Sequence, residues 1–148
     1  MTMLSGSCEC GVCAFTVKRP PKARFICHCT LCQTFTGQLF SDVTVVRGAD
    51  VTLVNTDHVV FRTYRPPPNI RRGACRRCGK PAIEVAGAGP AKIMFIPARN
   101  FARQDLLPPP RMRIFYDRRV ADAVDDLPRH EGYWPSQFAV ARLLMRGL

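Results

Sequence analysis

"SCECGVCAFTVK", residues 7–18, runs two patterns together. Its first half spaces cysteines as C-x-C-x2-C, at Cys8, Cys10 and Cys13. Its second half alternates. In an extended chain Cys13, Phe15 and Val17 share one face, and Val12, Ala14, Thr16 and Lys18 share the other. Cys8 and Cys10 therefore precede a strand, with Gly11 allowing a tight turn, while Cys13 lies on the strand's apolar face. A cysteine there reads as a small buried hydrophobe or as a further ligand. The stretch predicts a β domain whose loops carry thiols.

Working outward, other short runs rich in β-branched residues read as strands: 39–46, 51–54, 59–64, 82–86, 92–98 and 111–116. Glycines at 48, 87 and 89 and the proline triplets 66–68 and 108–110 mark turns and loops. Only the end looks helical, with Pro135 opening "SQFAVARLLMRGL" at the first helical position. No repeat beyond the shared cysteine spacing appears, and no linker divides the chain. The expected architecture is one domain over residues 1–148, mostly β, with zinc-stapled antiparallel sheets and a short C-terminal helix.

The chain has 148 residues and 47% hydrophobic against 22% charged residues, a globular balance. The start, "MTMLSGS", has no apolar signal region, and no run is long enough to span a membrane. A cytoplasmic protein is expected, and in that reducing setting clustered cysteines point to metal rather than disulfides. The formal net charge is +11, and eighteen of the 22 basic residues are arginine. Arginine's planar fork suits carboxylates and phosphates, so an anionic partner is expected, either a small carboxylate ligand or nucleic acid.

Eight cysteines fall into groups with different prospects. Cys8 and Cys10 need two more ligands, and "CRRC", residues 75–78, followed by Gly79, supplies them. Cys8, Cys10, Cys75 and Cys78 make a closed four-thiolate centre of the structural zinc type. Cys27, Cys29 and Cys32, in "CHCTLC", have no obvious fourth partner. Three protein ligands with one open position is the catalytic type. The alternative is a second closed site completed by Cys13 or a histidine. Two zinc ions are thus expected, one structural and one catalytic, the latter held less tightly and so partly occupied.

"GSCECG", "CHCTLCQTFTG" at 27–37 and "CRRCGKP" at 75–81 resemble the glutathione-dependent formaldehyde-activating enzyme family, to which a group of centromeric proteins is related. "RIFYDRR" and "DDLPRHEGY" resemble the family's tail. The resemblance implies a tent-like stack of zinc-bearing β sheets. It also implies a structural zinc on Cys8, Cys10, Cys75 and Cys78, and a catalytic zinc on Cys27, Cys29 and Cys32. The implied activity is a carbon–sulfur lyase reaction run in reverse, forming S-hydroxymethylglutathione from glutathione and formaldehyde. Cys13 stands where the family usually has an aliphatic residue.

A thiol entering an open zinc position becomes a thiolate nucleophile at neutral pH, and zinc also polarises carbonyls. Three thiolates dampen that Lewis acidity, which favours thiol positioning. His28 reads as a catalytic proton shuttle or as an exposed knuckle side chain; His58 and His130 read as surface. Arg62, Arg65, Arg71, Arg72, Arg76 and Arg77 form a basic stretch with no Asp or Glu from 58 to 83. It reads as a clamp for the carboxylates of a small acidic thiol such as glutathione, as a phosphate contact, or as compensation for the zinc–thiolate charge. With Phe61 and Tyr64 as its nearest aromatics and no standard nucleic-acid motif, a nucleic-acid partner is disfavoured. A non-catalytic zinc module binding nucleic acid or protein remains the competing reading. "KIMFIPA" and "FAVARLLM" read as core or homodimer contacts.

Overall fold

The structure, a computed structural model, describes residues 3–64 and 70–147. Arg65 and the proline triplet 66–68 lie outside the described residues. Ten strands and two α-helices follow in order: β1 Leu4–Ser7, β2 Ala14–Val17, β3 Ala23–Cys27, α1 Thr30–Thr36, β4 Ser41–Arg47, β5 Val51–Val54, β6 Val59–Thr63, β7 Ile70–Cys75, β8 Pro81–Ala86, β9 Ile93–Pro97, β10 Arg113–Ile114 and α2 Tyr133–Gly147.

The strands form two sheets. A three-stranded sheet has the order β1-β2-β5, and a seven-stranded sheet the order β10-β3-β4-β9-β8-β7-β6. Every strand pair is antiparallel except β10, which runs parallel to β3. The mostly antiparallel, mostly β expectation therefore holds.

The large sheet is covered on both faces. Phe25, Val43, Val45 and Phe95 point to one side, where Ala139 and Leu143 of α2 pack. Val46, Ile83, Val85, Met94 and Ile96 point to the other, where Leu4, Phe15 and Val17 of the small sheet close the second core. Phe15 meets Phe101 edge to face, with centroids 5.1 Å apart. Strands buried on both faces lose simple alternation, and this has consequences for the site.

Several expectations need correcting. The end of the chain is not the sole helix: α1 follows the second cysteine triplet directly. Strands β1, β3 and β7 were not predicted, and the run 111–116 shrinks to the two residues of β10. Helix α2 begins at Tyr133, so Pro135 is its third residue rather than its first. The "FAVARLLM" run divides: Ala139 and Leu143 enter the core, while Phe138 and Met145 are exposed.

Candidate functional site

Two tight turns bring the first cysteine group together. After β1 the chain reverses, with Cys8 N–H donating to Cys13 O (2.9 Å) and Gly11 N–H to Cys8 O (3.0 Å). Gly11 has φ +86°, a left-handed conformation that glycine adopts without strain. Between β7 and β8, Cys75 N–H donates to Lys80 O and Gly79 N–H to Cys75 O (2.8 Å), while Arg77 N–H points at Cys75 Sγ (3.3 Å). The Sγ atoms of Cys8, Cys10, Cys75 and Cys78 all lie within 4.8 Å of one another and could hold a metal ion. Cys8 and Cys10 Sγ are 3.6 Å apart, Cys10 and Cys75 Sγ 3.7 Å. A zinc tetrahedron with bonds of about 2.3 Å has S···S edges of roughly 3.8 Å, so the donors fit zinc in number, type and spacing.

Cys13 is buried against this cluster rather than against the second triplet. Burial, then its hydrogen bond to Cys75, pushes its thiol up to about 12. It lies beside Cys8 and Cys75, and it is not grouped with Cys27, Cys29 and Cys32.

The second group straddles the β3–α1 junction. Cys27 ends β3, Cys29 caps α1 and Cys32 lies in its first turn, with Cys32 N–H donating to Cys29 Sγ (3.3 Å). The three Sγ atoms lie within 4.8 Å of one another, and the trio could hold a metal ion. Hydrogen bonds from Cys27 and Cys32 pull Cys29 down to about 3, and Arg72 adds to this. Cys27 is pushed up, first by its bond to Cys29.

These thiols line a cavity of about 350 Å³ between the large sheet and α2. Arg72 of β7 and Glu84 of β8, register partners across the sheet, line it too. Arg72 Nε approaches Glu84 Oε1 at 3.2 Å, with both side chains under a tenth exposed. They form a close ion pair whose Nε–H is not well aligned on Oε1: among the described residues these two are the buried side-chain N and O atoms without a well-aligned hydrogen bond. Burial pushes the Glu84 carboxyl up to about 7 against the pull of Arg72. Asp117 and Arg118 are further lining residues. They form a loose ion pair of 3.6 Å, Arg118 well exposed and Asp117 about a third exposed.

The other residues singled out from sequence fall elsewhere. His28 is not an exposed knuckle residue; it is 2% exposed. Between two cysteines on an extended segment it turns to the opposite side, where its ring lies 5.3 Å from Tyr116 and 5.5 Å from Phe40. Its Nε2 sits 3.0 Å from Arg113 Nη1, so the neutral ring accepts that hydrogen bond. Burial and then Arg113 lower its pKa. His28 lines a different cavity from the three cysteines. The arginine stretch does not present one face: Arg72 turns inward, whereas Arg71 is exposed and lies over Phe61 at 5.9 Å. Arg62, Arg76 and Arg77 are exposed.

Fold and site together define a two-sheet β protein with two thiol clusters suited to metal, one stapling strand turns and one opening onto a cavity. The model of the glutathione-dependent formaldehyde-activating enzyme family matches residues 3–118, and the chain belongs to that family. A crystal structure of a Rhodobacter sphaeroides protein is similar in fold, with a TM-score of 0.53 and 15% identity over 84% of this chain and 98% of that one. No curated protein matches the chain. No helix among the described residues is long and apolar enough to cross a membrane.

Proposed function

We propose that this protein is a zinc-dependent carbon–sulfur lyase that makes and breaks thiol–aldehyde adducts, with S-hydroxymethylglutathione from glutathione and formaldehyde as the family's model case. It works as one domain in a reducing cytoplasm. Cys8, Cys10, Cys75 and Cys78 hold a structural ion, and Cys27, Cys29 and Cys32 a catalytic one. Zinc, when bound by the triplet, holds a substrate thiol as its thiolate. In the forward direction the carbon–sulfur bond forms, the carbonyl π bond breaks, and the thiol proton ends on the new hydroxyl.

The observation that carries this reading is the buried Arg72–Glu84 ion pair, close but poorly aligned for a hydrogen bond, in the cavity of the three cysteines. A buried donor and a buried acceptor that lack a well-aligned hydrogen bond forfeit part of the roughly 1–3 kcal/mol that a wholly unpartnered group would cost. A hydroxyl satisfies both at once: Arg72 Nε–H donates to its oxygen, and its O–H donates to Glu84 Oε1. An aldehyde oxygen offers only the first of these bonds. The pair therefore favours the hydroxyl-bearing adduct and what leads to it, which is preferential binding along the reaction path. His28, turned away from the cavity, serves to anchor the tail residue Arg113 rather than to move protons.

The test uses zinc-loaded protein and exchange NMR on equilibrium mixtures of glutathione and formaldehyde. Exchange between free and bound aldehyde is expected to speed up at least tenfold over the uncatalysed rate, and Arg72→Met to lose most of that gain. No acceleration with glutathione or any other small acidic thiol sinks the reading. Against the nucleic-acid alternative, the described arginines of the stretch do not share one face, since Arg72 turns inward and Arg71 outward. Duplex DNA is expected to be retained only weakly and released near physiological salt in a mobility-shift assay.

A further inference from the structure

We infer that the carbonyl partner at this site is a hydrophobic aldehyde, medium-chain or aromatic, with formaldehyde the smallest member it tolerates. The inference rests on the thiol–aldehyde reading and asks which aldehyde the cavity is shaped for.

Size is the first argument. The cavity measures about 350 Å³, whereas formaldehyde displaces little more than one water, whose share of liquid is about 30 Å³. Even with a thiol carbon and a metal ion seated at the cysteines, most of that space stays open. Beside the polar groups at its cysteine end and edge, it has an apolar wall of Phe25, Val43, Ile70, Phe95, Ile114 and Val140. Phe25, Val43, Phe95 and Ile114 are buried core residues. Water along that wall has few partners, so an apolar group displaces it favourably.

Charge is the second argument. The buried charges in the cavity, Arg72 and Glu84, face each other. A carboxylate brought to Arg72 would also meet the Glu84 carboxyl beside it, so the acidic body of a small thiol belongs at the cavity's exposed edge, near Arg118. The interior then serves the other half of the adduct. With the sulfur at the triplet and the hydroxyl between Arg72 and Glu84, the remaining substituent on the adduct carbon points among the apolar walls. For formaldehyde that substituent is a hydrogen, which leaves the walls with nothing to bind.

The test compares S-hexylglutathione with S-methylglutathione, two unreactive thioethers, by calorimetry on the metal-loaded protein. A fully buried methylene gains about fourfold in affinity. Partial burial of five added methylenes is expected to make the hexyl compound at least 30-fold tighter. Val140→Phe and Ile70→Phe, which shrink the cavity from the helix side and the sheet side, are each expected to cut that ratio about tenfold, with circular dichroism confirming the fold. In parallel, exchange with glutathione is measured for hexanal and for formaldehyde, and hexanal is expected to gain more over its uncatalysed rate. If formaldehyde is accelerated while the two thioethers bind within threefold of each other, the inference is overturned and the thiol–aldehyde reading stands. If neither aldehyde is accelerated, that reading fails and takes the inference with it.

Discussion

Cys13 and Glu84 are single residues whose surroundings set their roles. Cys13 packs against Cys8 and Cys75 in a buried setting that pushes its thiol pKa up, outside the group of four that could hold a metal. Cys13→Ala is therefore expected to keep the parent's metal content by mass spectrometry and to cost about 1–2 kcal/mol in denaturant unfolding, as for a small core truncation. Loss of an ion would make Cys13 a ligand. Glu84 offers a pH signature. Its carboxyl is raised from 4.5 to about 7 in the folded protein, so the fold favours the protonated form. Its contribution to stability is full below pH 4.5 and is lost as pH rises through 7. Glu84→Gln removes that titration, so the variant should gain on the parent between pH 5 and 8 in unfolding at fixed free zinc. A constant difference across that range would mean the carboxyl is not raised. The cysteine groups were legible because metal spacing is a local property of sequence. Glu84 was not: in "AIEVA" it reads as the outward residue of a half-exposed strand, and only a sheet covered on both faces turns that position into a cavity wall.

At the scale of elements, close approach explains which changes the framework tolerates. A Cβ added to Gly6 would lie 2.1 Å from Asn100 O, where β1 runs against the segment after β9. Gly6→Ala is expected to exceed the roughly 1–3 kcal/mol of ordinary overpacking and to lower Tm sharply in a thermal scan. The tail is tied down at His28: His28 N–H donates to Ile114 O, Arg113 is bound to both the ring and Asp125, and Ser136 Oγ accepts from Phe115 N–H (2.9 Å). His28→Ala should therefore cost roughly 2–4 kcal/mol, as a large-to-small change in a packed site. It should raise hydrogen exchange across residues 113–130 while leaving the pH profile of turnover in place. A changed profile would return His28 to proton transfer. Elements were least legible where the chain serves two purposes. Strand β3 runs straight into cysteines, β7 is disguised by arginines, and α1 begins on a cysteine cap rather than on Ser, Thr, Asp or Asn.

At the scale of the molecule, the two thiol clusters differ in what they connect. The four-cysteine group links the β1–β2 turn of the small sheet to the β7–β8 turn of the large one. A metal held there would close a long loop, so its binding energy would enter folding directly. The triplet spans a single junction. Cys78→Ser is accordingly expected to give insoluble or unfolded protein, whereas Cys29→Ser should stay folded, with less bound metal and no turnover. Metal analysis and circular dichroism on both variants check this, and an unfolded Cys29→Ser with a folded Cys78→Ser reverses the assignment.

That long-range staple also bears on how the chain is born. Domains begin to assemble while the ribosome is still adding residues. Cys8, Cys10 and Cys13 emerge early, followed by Cys27, Cys29 and Cys32, well before Cys75 and Cys78 exist. An ion that meets the nascent chain in that interval finds six thiols and no staple, and the sets it can bridge include wrong ones. The triplet limits this error, because its three ligands lie within one short segment and find each other first. Cys8 and Cys10 must wait for their partners, so the order of synthesis places the burden of correct pairing on the last two cysteines to appear.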